Sequence, residues 1–289
     1  MLGKFITLLK AIRFEHTAFA LPFAVASAFV AADGWPTAWE LGWILAAMVG
    51  ARTAAMAFNR LADLDYDRKN PRTAGRALVT GELTTRQIWV MLSIAAAAYF
   101  VAAGMLNRLC LLLSPLALVV LLGYSYTKRF TVLTHWVLGF ALGIAPVGAW
   151  IAIRGRVDFP PLLLCAAVTL WTAGFDIIYA CQDIAFDRAQ GLFSIPARWG
   201  ASRALLISSV NHVFTVWLLA LFGWAADLNW LYLLGVVVLV PVLWWEHRVV
   251  QPDDLSRAEA ASFVANGIFS LVLFLFAAAD VILVGRTLF

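Results

Sequence analysis

Residues 160–187 read PPLLLCAAVTLWTAGFDIIYACQDIAFD. From Pro160 to Gln182 a single charge, Asp176, interrupts the apolar run, which is long enough for the about 20 residues that a bilayer-spanning helix needs. Its hydrophobicity is continuous and does not alternate, so it reads as a helix and not as a strand of a closed barrel. The run then ends in two carboxylates one helical turn apart, Asp183 and Asp187.

Working outward, eight more runs share this character, at about 17–34, 38–58, 87–105, 109–126, 132–153, 204–225, 228–246 and 262–284. The composition agrees. Of 289 residues, 63% are hydrophobic and 13% charged, about half of the roughly 25% charge of a water-facing domain. These values exclude a soluble globular enzyme, a disordered chain and a nucleic-acid-binding module. The expectation is an all-α polytopic membrane protein with nine transmembrane helices, one domain over residues 1–289. Lys4, Lys10 and Arg13 precede the first run, and Ala24, Ala26 and Ala28 give it cleavage-like spacings. With eight further spans behind it, an uncleaved first helix is the simpler reading.

Orientation follows from the cations. Sixteen of the 21 Lys and Arg fall on one side: the N-terminus, the loops 59–86, 183–203 and 247–261, and the turn 127–131. Arg108, Arg154, Arg156 and Arg286 fall on the other, and Arg52 lies within a span. This bias places the N-terminus and long loops in the cytoplasm, and it makes the net charge of +4 a matter of topology. Cys110, Cys165 and Cys181 lack metal or disulfide spacing, and His16, His135, His212 and His247 form no ligand-spaced pair, reading as interfacial or packed side chains.

The scarce acids carry the information. Six of 17 lie in two short stretches, Asp63, Asp65 and Asp67, then Asp176, Asp183 and Asp187. Asn59, Asp63 and Asp67 are four residues apart and share one helical face, with Asp65 turned to solvent. Asp176, Tyr179, Asp183 and Asp187 form a second stripe. Carboxylates stacked one turn apart repel unless a cation lies between them, and hard oxygens of this kind suit Mg²⁺ bound together with substrate phosphates. Asp176 lies among apolar residues, where an acid is costly and functional. Arg72, Arg76, Lys128 and Arg129 gather on the same side and suit a diphosphate. Asp63 and Asp67 precede Asp183 and Asp187 by 120 residues. A four-helix unit used twice, about 17–131 and 132–246, plus a ninth helix at 262–284, would face the two acidic ends across one cavity.

These residues resemble the UbiA superfamily of intramembrane prenyltransferases over nearly the whole chain. N-x-x-x-D-x-x-x-D matches Asn59, Asp63 and Asp67. D-x-x-Y-A-x-x-D-x-x-x-D matches Asp176, Tyr179, Ala180, Asp183 and Asp187, and Y-x-x-x-K-R matches Tyr124, Lys128 and Arg129. Within the superfamily the chain looks like the 4-hydroxybenzoate polyprenyltransferase-like group. Phe14-Glu-His-Thr-Ala-Phe-Ala-Leu-Pro-Phe23, Gln182-Asp183 and Gly191-Leu-Phe-Ser-Ile-Pro196 suggest the branch similar to the MqnP enzymes of the futalosine menaquinone route. Three positions depart from the common pattern: Asn59-Arg60 for N-D, Arg76-Ala77 for R-P, and Phe193 where many ubiquinone-type members carry lysine.

The resemblance implies a UbiA-like bundle of nine helices around a central cavity, and Mg²⁺-dependent transfer of a polyprenyl group from its diphosphate to an aromatic acid, 4-hydroxybenzoate or 1,4-dihydroxy-6-naphthoate, in quinone biosynthesis at the bacterial inner membrane. It implies metal ligands at Asn59, Asp63, Asp67, Asp183 and Asp187, diphosphate contacts from Arg72, Arg76, Lys128 and Arg129, and acceptor-side roles for Asp176, Tyr179 and Tyr124. Its partners would be polyprenyl diphosphate, the aromatic acid and the bilayer, with no nucleic acid. Haem O, chlorophyll and archaeal lipid synthases are the rivals within the superfamily. A cation-coupled transporter would need midplane acids and interrupted helices, whereas most acids here sit at one face; a structural subunit would leave the paired acids without purpose.

Overall fold

The computed structural model describes residues 7–8 and 17–285. Lys4, Lys10, Arg13, His16 and Arg286 lie outside the described residues, as do residues 14–16 of the stretch beginning at Phe14. Nine long helices make up the described bundle: α1 (Thr17–Ala32), α2 (Ala38–Ala62), α3 (Thr85–Leu106), α4 (Arg108–Thr127), α5 (Thr134–Arg154), α6 (Pro160–Ala180), α7 (Ile195–Ala225), α8 (Trp230–Val249) and α9 (Ala258–Ala279). Eight are long and apolar enough to cross a membrane, and α1 has 16 residues in the described range. No strand forms among the described residues. The chain is an all-helical multi-span membrane protein.

Local chemistry sets several helix ends. Thr37 and Thr84 start α2 and α3 with capping boxes completed by Glu40 and Gln87. Asn107 starts α4 by accepting from the Cys110 N–H at 2.9 Å, and its amide donates to the Ile151 carbonyl of α5 at 2.8 Å. Buried Asp280, just beyond α9, accepts from the backbone N–H groups of Asn229 and Tyr232 at 2.8 and 3.0 Å, a carboxylate at the positive end of α8.

Successive helices pack as neighbours from α2 through to α9, and α9 returns to α1, which also lies along α5 and α2. The result is a ring of helices in which α1 to α6 and α9 line a large chamber, with α7 and α8 packed outside it. In lipid, helices gain little from apolar burial against each other, so close van der Waals packing has to hold them. Gly139 and Gly143 of α5 show how. A Cβ on Gly139 would lie 2.2 Å from the Thr169 carbonyl oxygen, and one on Gly143 would lie 2.6 Å from that of Cys165. This G-x-x-x-G surface lets α5 and α6 touch backbone to backbone. On another side of α6, Trp171 stacks on Phe269 of α9 with centroids 5.1 Å apart and meets Phe23 of α1 at 4.9 Å.

Each expected run coincides with one of these helices, and the differences fall in the loops. The segment between α2 and α3, expected as a loop, contains short helices at Leu64–Asp67 and Ala77–Thr80, and the segment after α6 contains Ile184–Ala189. α7 begins nine residues before the expected 204. Ser194 caps its first turn, and Gly200 then breaks it with φ 80°, a left-handed value suited to glycine. Polarity alone reads this amphiphilic turn as loop.

Candidate active site

The first acidic stripe is interrupted where it matters. α2 stops at Ala62, and Asp63 (φ −94°, ψ 4°) joins it to the turn that carries Asp67. The stripe survives the break because the chain resumes helically at once, with the Asp67 N–H donating to the Asp63 carbonyl at 2.8 Å. Asn59 Nδ2 donates to Asp63 Oδ2 at 3.0 Å. Lys128 Nζ lies 3.2 Å from the same oxygen, and Arg76 pairs with Asp67 at 2.5 Å. Asp65 turns outward to Arg68, as its spacing predicts.

The second stripe meets the first from the other side of the ring. Arg72 holds Asp183 with a two-pronged contact, Nε to Oδ1 at 3.0 Å and Nη2 to Oδ2 at 2.5 Å. Its remaining Nη1 donates to the Tyr179 hydroxyl at 2.8 Å. Burial, the largest single influence on Arg72, works against its charge, but the hydrogen bond and charge of Asp183, with Tyr179 and Glu259, outweigh it and raise its pKa above the ordinary arginine value. Asn70 Nδ2 also donates to Asp183 at 3.1 Å, while its Oδ1 accepts from the Arg72 N–H at 2.9 Å, an Asx turn that aims Arg72. Asp187 accepts from Ser194 Oγ at 2.8 Å.

Asn59, Asp63, Asp67, Asp183 and Asp187 therefore line one polar pocket of about 80 Å³, together with Arg72, Arg76 and Lys128. Arg129 is not in that lining. Its guanidinium donates to the Ala62 carbonyl at 2.5 Å, approaches Asp63 at 3.8 Å and lies over the rings of Tyr66 and Tyr126, bracing the end of α2 against the end of α4.

Asn59, Arg76 and Lys128 also line a second, mainly apolar cavity of about 720 Å³ inside the ring. Tyr124, Asp176 and Tyr179 line it as well, so every acceptor-side candidate faces this chamber. Arg52, on α2 two turns before Asn59, adds a cation to its wall. Asp176 is not alone: Nδ1 of His135 lies 2.7 Å from its Oδ2. His212 and His247, unrelated by spacing, also meet at 2.9 Å between α7 and α8.

The sequence reading misses Arg52, Asn70, His135 and Ser194. A signal existed for two of them. Asn70-Pro71 is a turn dipeptide, and an arginine within a span is costly enough to demand a role. His135 and Ser194 acquire their partners only through tertiary packing.

Among the described residues, no three acid, histidine or cysteine side chains converge on one point. The donor set is four carboxylates and one amide, each carboxylate already meeting Arg, Lys or Ser. That set fits a hard cation completed by substrate oxygens and water, as Mg²⁺ binds, and does not fit an all-protein cage.

Comparison with known proteins agrees with this geometry. Residues 20–278 match the UbiA prenyltransferase family. The 4-hydroxybenzoate octaprenyltransferase of Pseudomonas aeruginosa is 31% identical over 254 residues, covering 88% of this chain and 85% of that protein. Among solved structures, a UbiA homolog from Aeropyrum pernix is 37% identical with a TM-score of 0.84, over 92% of this chain and 98% of that one. A UbiA homolog from Archaeoglobus fulgidus bound to GPP and Mg²⁺ shares the fold at 22% identity, with a TM-score of 0.71 over 95% and 99% of the two chains. With its acid-lined pocket sharing Asn59, Arg76 and Lys128 with a large apolar cavity, the chain belongs to the UbiA prenyltransferase family and is a membrane-embedded prenyltransferase.

Proposed function

We propose that this enzyme transfers a polyprenyl group from a polyprenyl diphosphate to a carboxylate-bearing aromatic acceptor, 4-hydroxybenzoate or 1,4-dihydroxy-6-naphthoate, in quinone biosynthesis. The observation that carries the reading is the pair of chambers sharing Asn59, Arg76 and Lys128. A molecule with a diphosphate head and an apolar tail matches that change of polarity. Support also comes from the relative named for 4-hydroxybenzoate octaprenyl transfer and from the Archaeoglobus structure with GPP and Mg²⁺.

Charge supports a divalent cation. Asp63, Asp67 and Asp183 are met by five cations, Arg60, Arg72, Arg76, Lys128 and Arg129, while Asp187, the fourth carboxylate, meets Ser194. A diphosphate with about three negative charges turns that balance negative, and Mg²⁺ commonly offsets such charge. Asn59, Asp63, Asp67, Asp183 and Asp187 would hold Mg²⁺, which when bound neutralises the diphosphate as a Lewis acid.

The protein's own residues do the rest. Arg72, Arg76 and Lys128 hold the diphosphate oxygens, and as the allylic C–O bond breaks they stabilise the departing electron pair. The allylic carbon bonds to a ring carbon of the acceptor, whose proton passes to Asp176. Tyr179 accepts from Arg72 and keeps its own proton to donate toward the acceptor. Tyr124 lies along the ring, and Arg52 pairs with the acceptor carboxylate. Arg129 holds Asp63 and α2 in place.

The cation bias supports a pocket facing the cytoplasm, at the inner membrane of a bacterium. The decisive assay supplies the purified protein in lipid with Mg²⁺, a polyprenyl diphosphate and either acceptor. Diphosphate release dependent on one of them is expected, and no release with either overturns the reading.

A further inference from the structure

Asp176 of α6 sits in the wall of the large cavity, and its Oδ2 lies 2.7 Å from Nδ1 of His135 near the start of α5. His135 is 2% exposed. Its other ring nitrogen, Nε2, lies 3.2 Å from the backbone nitrogen of Ile195, the first residue of α7. A backbone N–H can only donate, so Nε2 has to be an unprotonated acceptor. A neutral imidazole carries one proton; here it sits on Nδ1 and points at Asp176. The fold selects one tautomer of His135 through a main-chain group no side-chain substitution removes.

Two consequences follow. The contact is a donation from the His135 Nδ1–H to Asp176 Oδ2, which fixes the plane of that carboxyl group and leaves Oδ1 to meet a ligand. The same imidazole also ties Asp176 to the turn whose preceding residue, Ser194, holds Asp187 at the polar pocket. His135 thus bridges α5, α6 and the start of α7.

We infer that His135 is a positioning residue for the aromatic acceptor: its Nδ1–H orients Asp176 so that Oδ1 faces the acceptor, whereas the tie of its Nε2 to the Ile195 N–H, which a glutamine oxygen can still accept, serves the diphosphate side. The inference rests on the reading of Asp176 as the acceptor-side group.

The test uses full-length protein in lipid vesicles, with KM and kcat measured separately for the acceptor and for the prenyl diphosphate. Asparagine can keep a donor near the Nδ1 position, whereas glutamine places its amide near Nε2. H135N is therefore expected to keep acceptor kcat/KM within a few-fold of wild type. H135Q is expected to lose on the order of 100-fold, the scale of a misplaced reacting group, with prenyl diphosphate KM unchanged. Wild-type kinetics for H135Q would overturn the inference. So would equal losses in H135N and H135Q, or a loss expressed as a raised prenyl diphosphate KM. D176N separates the two levels. If D176N retains normal acceptor kinetics, the reading of Asp176 itself fails; if D176N is impaired while H135Q is not, only the role of His135 fails.

Discussion

Arg72 and Asp183 form a fork-to-fork pair, at 3.0 and 2.5 Å, between segments 111 residues apart in sequence. The pair draws the loop after the first acidic stripe onto the second, and the spare arm of Arg72 reaches Tyr179. One guanidinium thus joins Asp183 of the polar pocket to Tyr179 of the large cavity. Lysine would keep the charge and lose the fork. R72K is expected to lower kcat/KM for prenyl diphosphate by about tenfold or more while the protein still folds, as read by diphosphate release and by its melting curve.

D63N and D183N address the two acidic ends separately. Each substitution leaves the side-chain shape and removes the charge that would draw a cation into the pocket. Turnover is expected to fall by on the order of 10²-fold or more in each, with normal insertion into membranes. Near-normal activity in either variant would remove that half of the proposed cation site.

Chelation probes the same site without mutation. EDTA is expected to abolish diphosphate release and excess Mg²⁺ to restore it. Mg²⁺ and an unreactive diphosphate analogue added together should raise the melting temperature more than either alone, because binding to the folded state stabilises it. Activity that persists in EDTA would contradict the proposed cation.

Arg52 lines the same cavity as Tyr124, Asp176 and Tyr179, and its proposed role is to pair with an acceptor carboxylate. Removing one partner of a desolvated charge pair costs about 2–5 kcal/mol. R52A is expected to raise acceptor KM by roughly 30-fold, the lower end of that range, and to leave prenyl diphosphate KM unchanged. An acceptor analogue lacking the carboxylate should show no difference between R52A and wild type.

Gly139 and Gly148, both on α5, make a stability contrast. A Cβ at Gly139 meets the Thr169 carbonyl at 2.2 Å, whereas one at Gly148 meets nothing within 4 Å. G139A is expected to destabilise by about 1–3 kcal/mol through overpacking. G148A should leave the melting temperature within experimental scatter or raise it slightly, since alanine favours the helix.

The bundle was legible because lipid exposure writes itself into composition: outward residues such as Leu112, Val119 and Val213 have to be apolar along whole helices. Asn59, Asp63 and Asp67 were legible because their alignment is local, set by spacing along one segment. The partners were not. His135 and Asp176 are 41 residues apart, and neither neighbourhood encodes the tautomer that a third segment imposes through Ile195. Arg129 shows the same limit in another form. Its neighbour Lys128 reaches the polar pocket, while Arg129 goes to the Ala62 carbonyl because the end of α2 happens to lie beside it.

Asn59, Arg76 and Lys128 belong to the walls of both chambers. A ligand that reorients any of them on one side alters the surface offered on the other. With the diphosphate in one chamber and the acceptor in the other, as proposed, any coupling through these walls is reciprocal: the factor by which diphosphate changes acceptor affinity equals the factor by which acceptor changes diphosphate affinity. Single-substrate binding constants, measured apart, would then misstate the affinities at work in the ternary complex, by the same ratio for both.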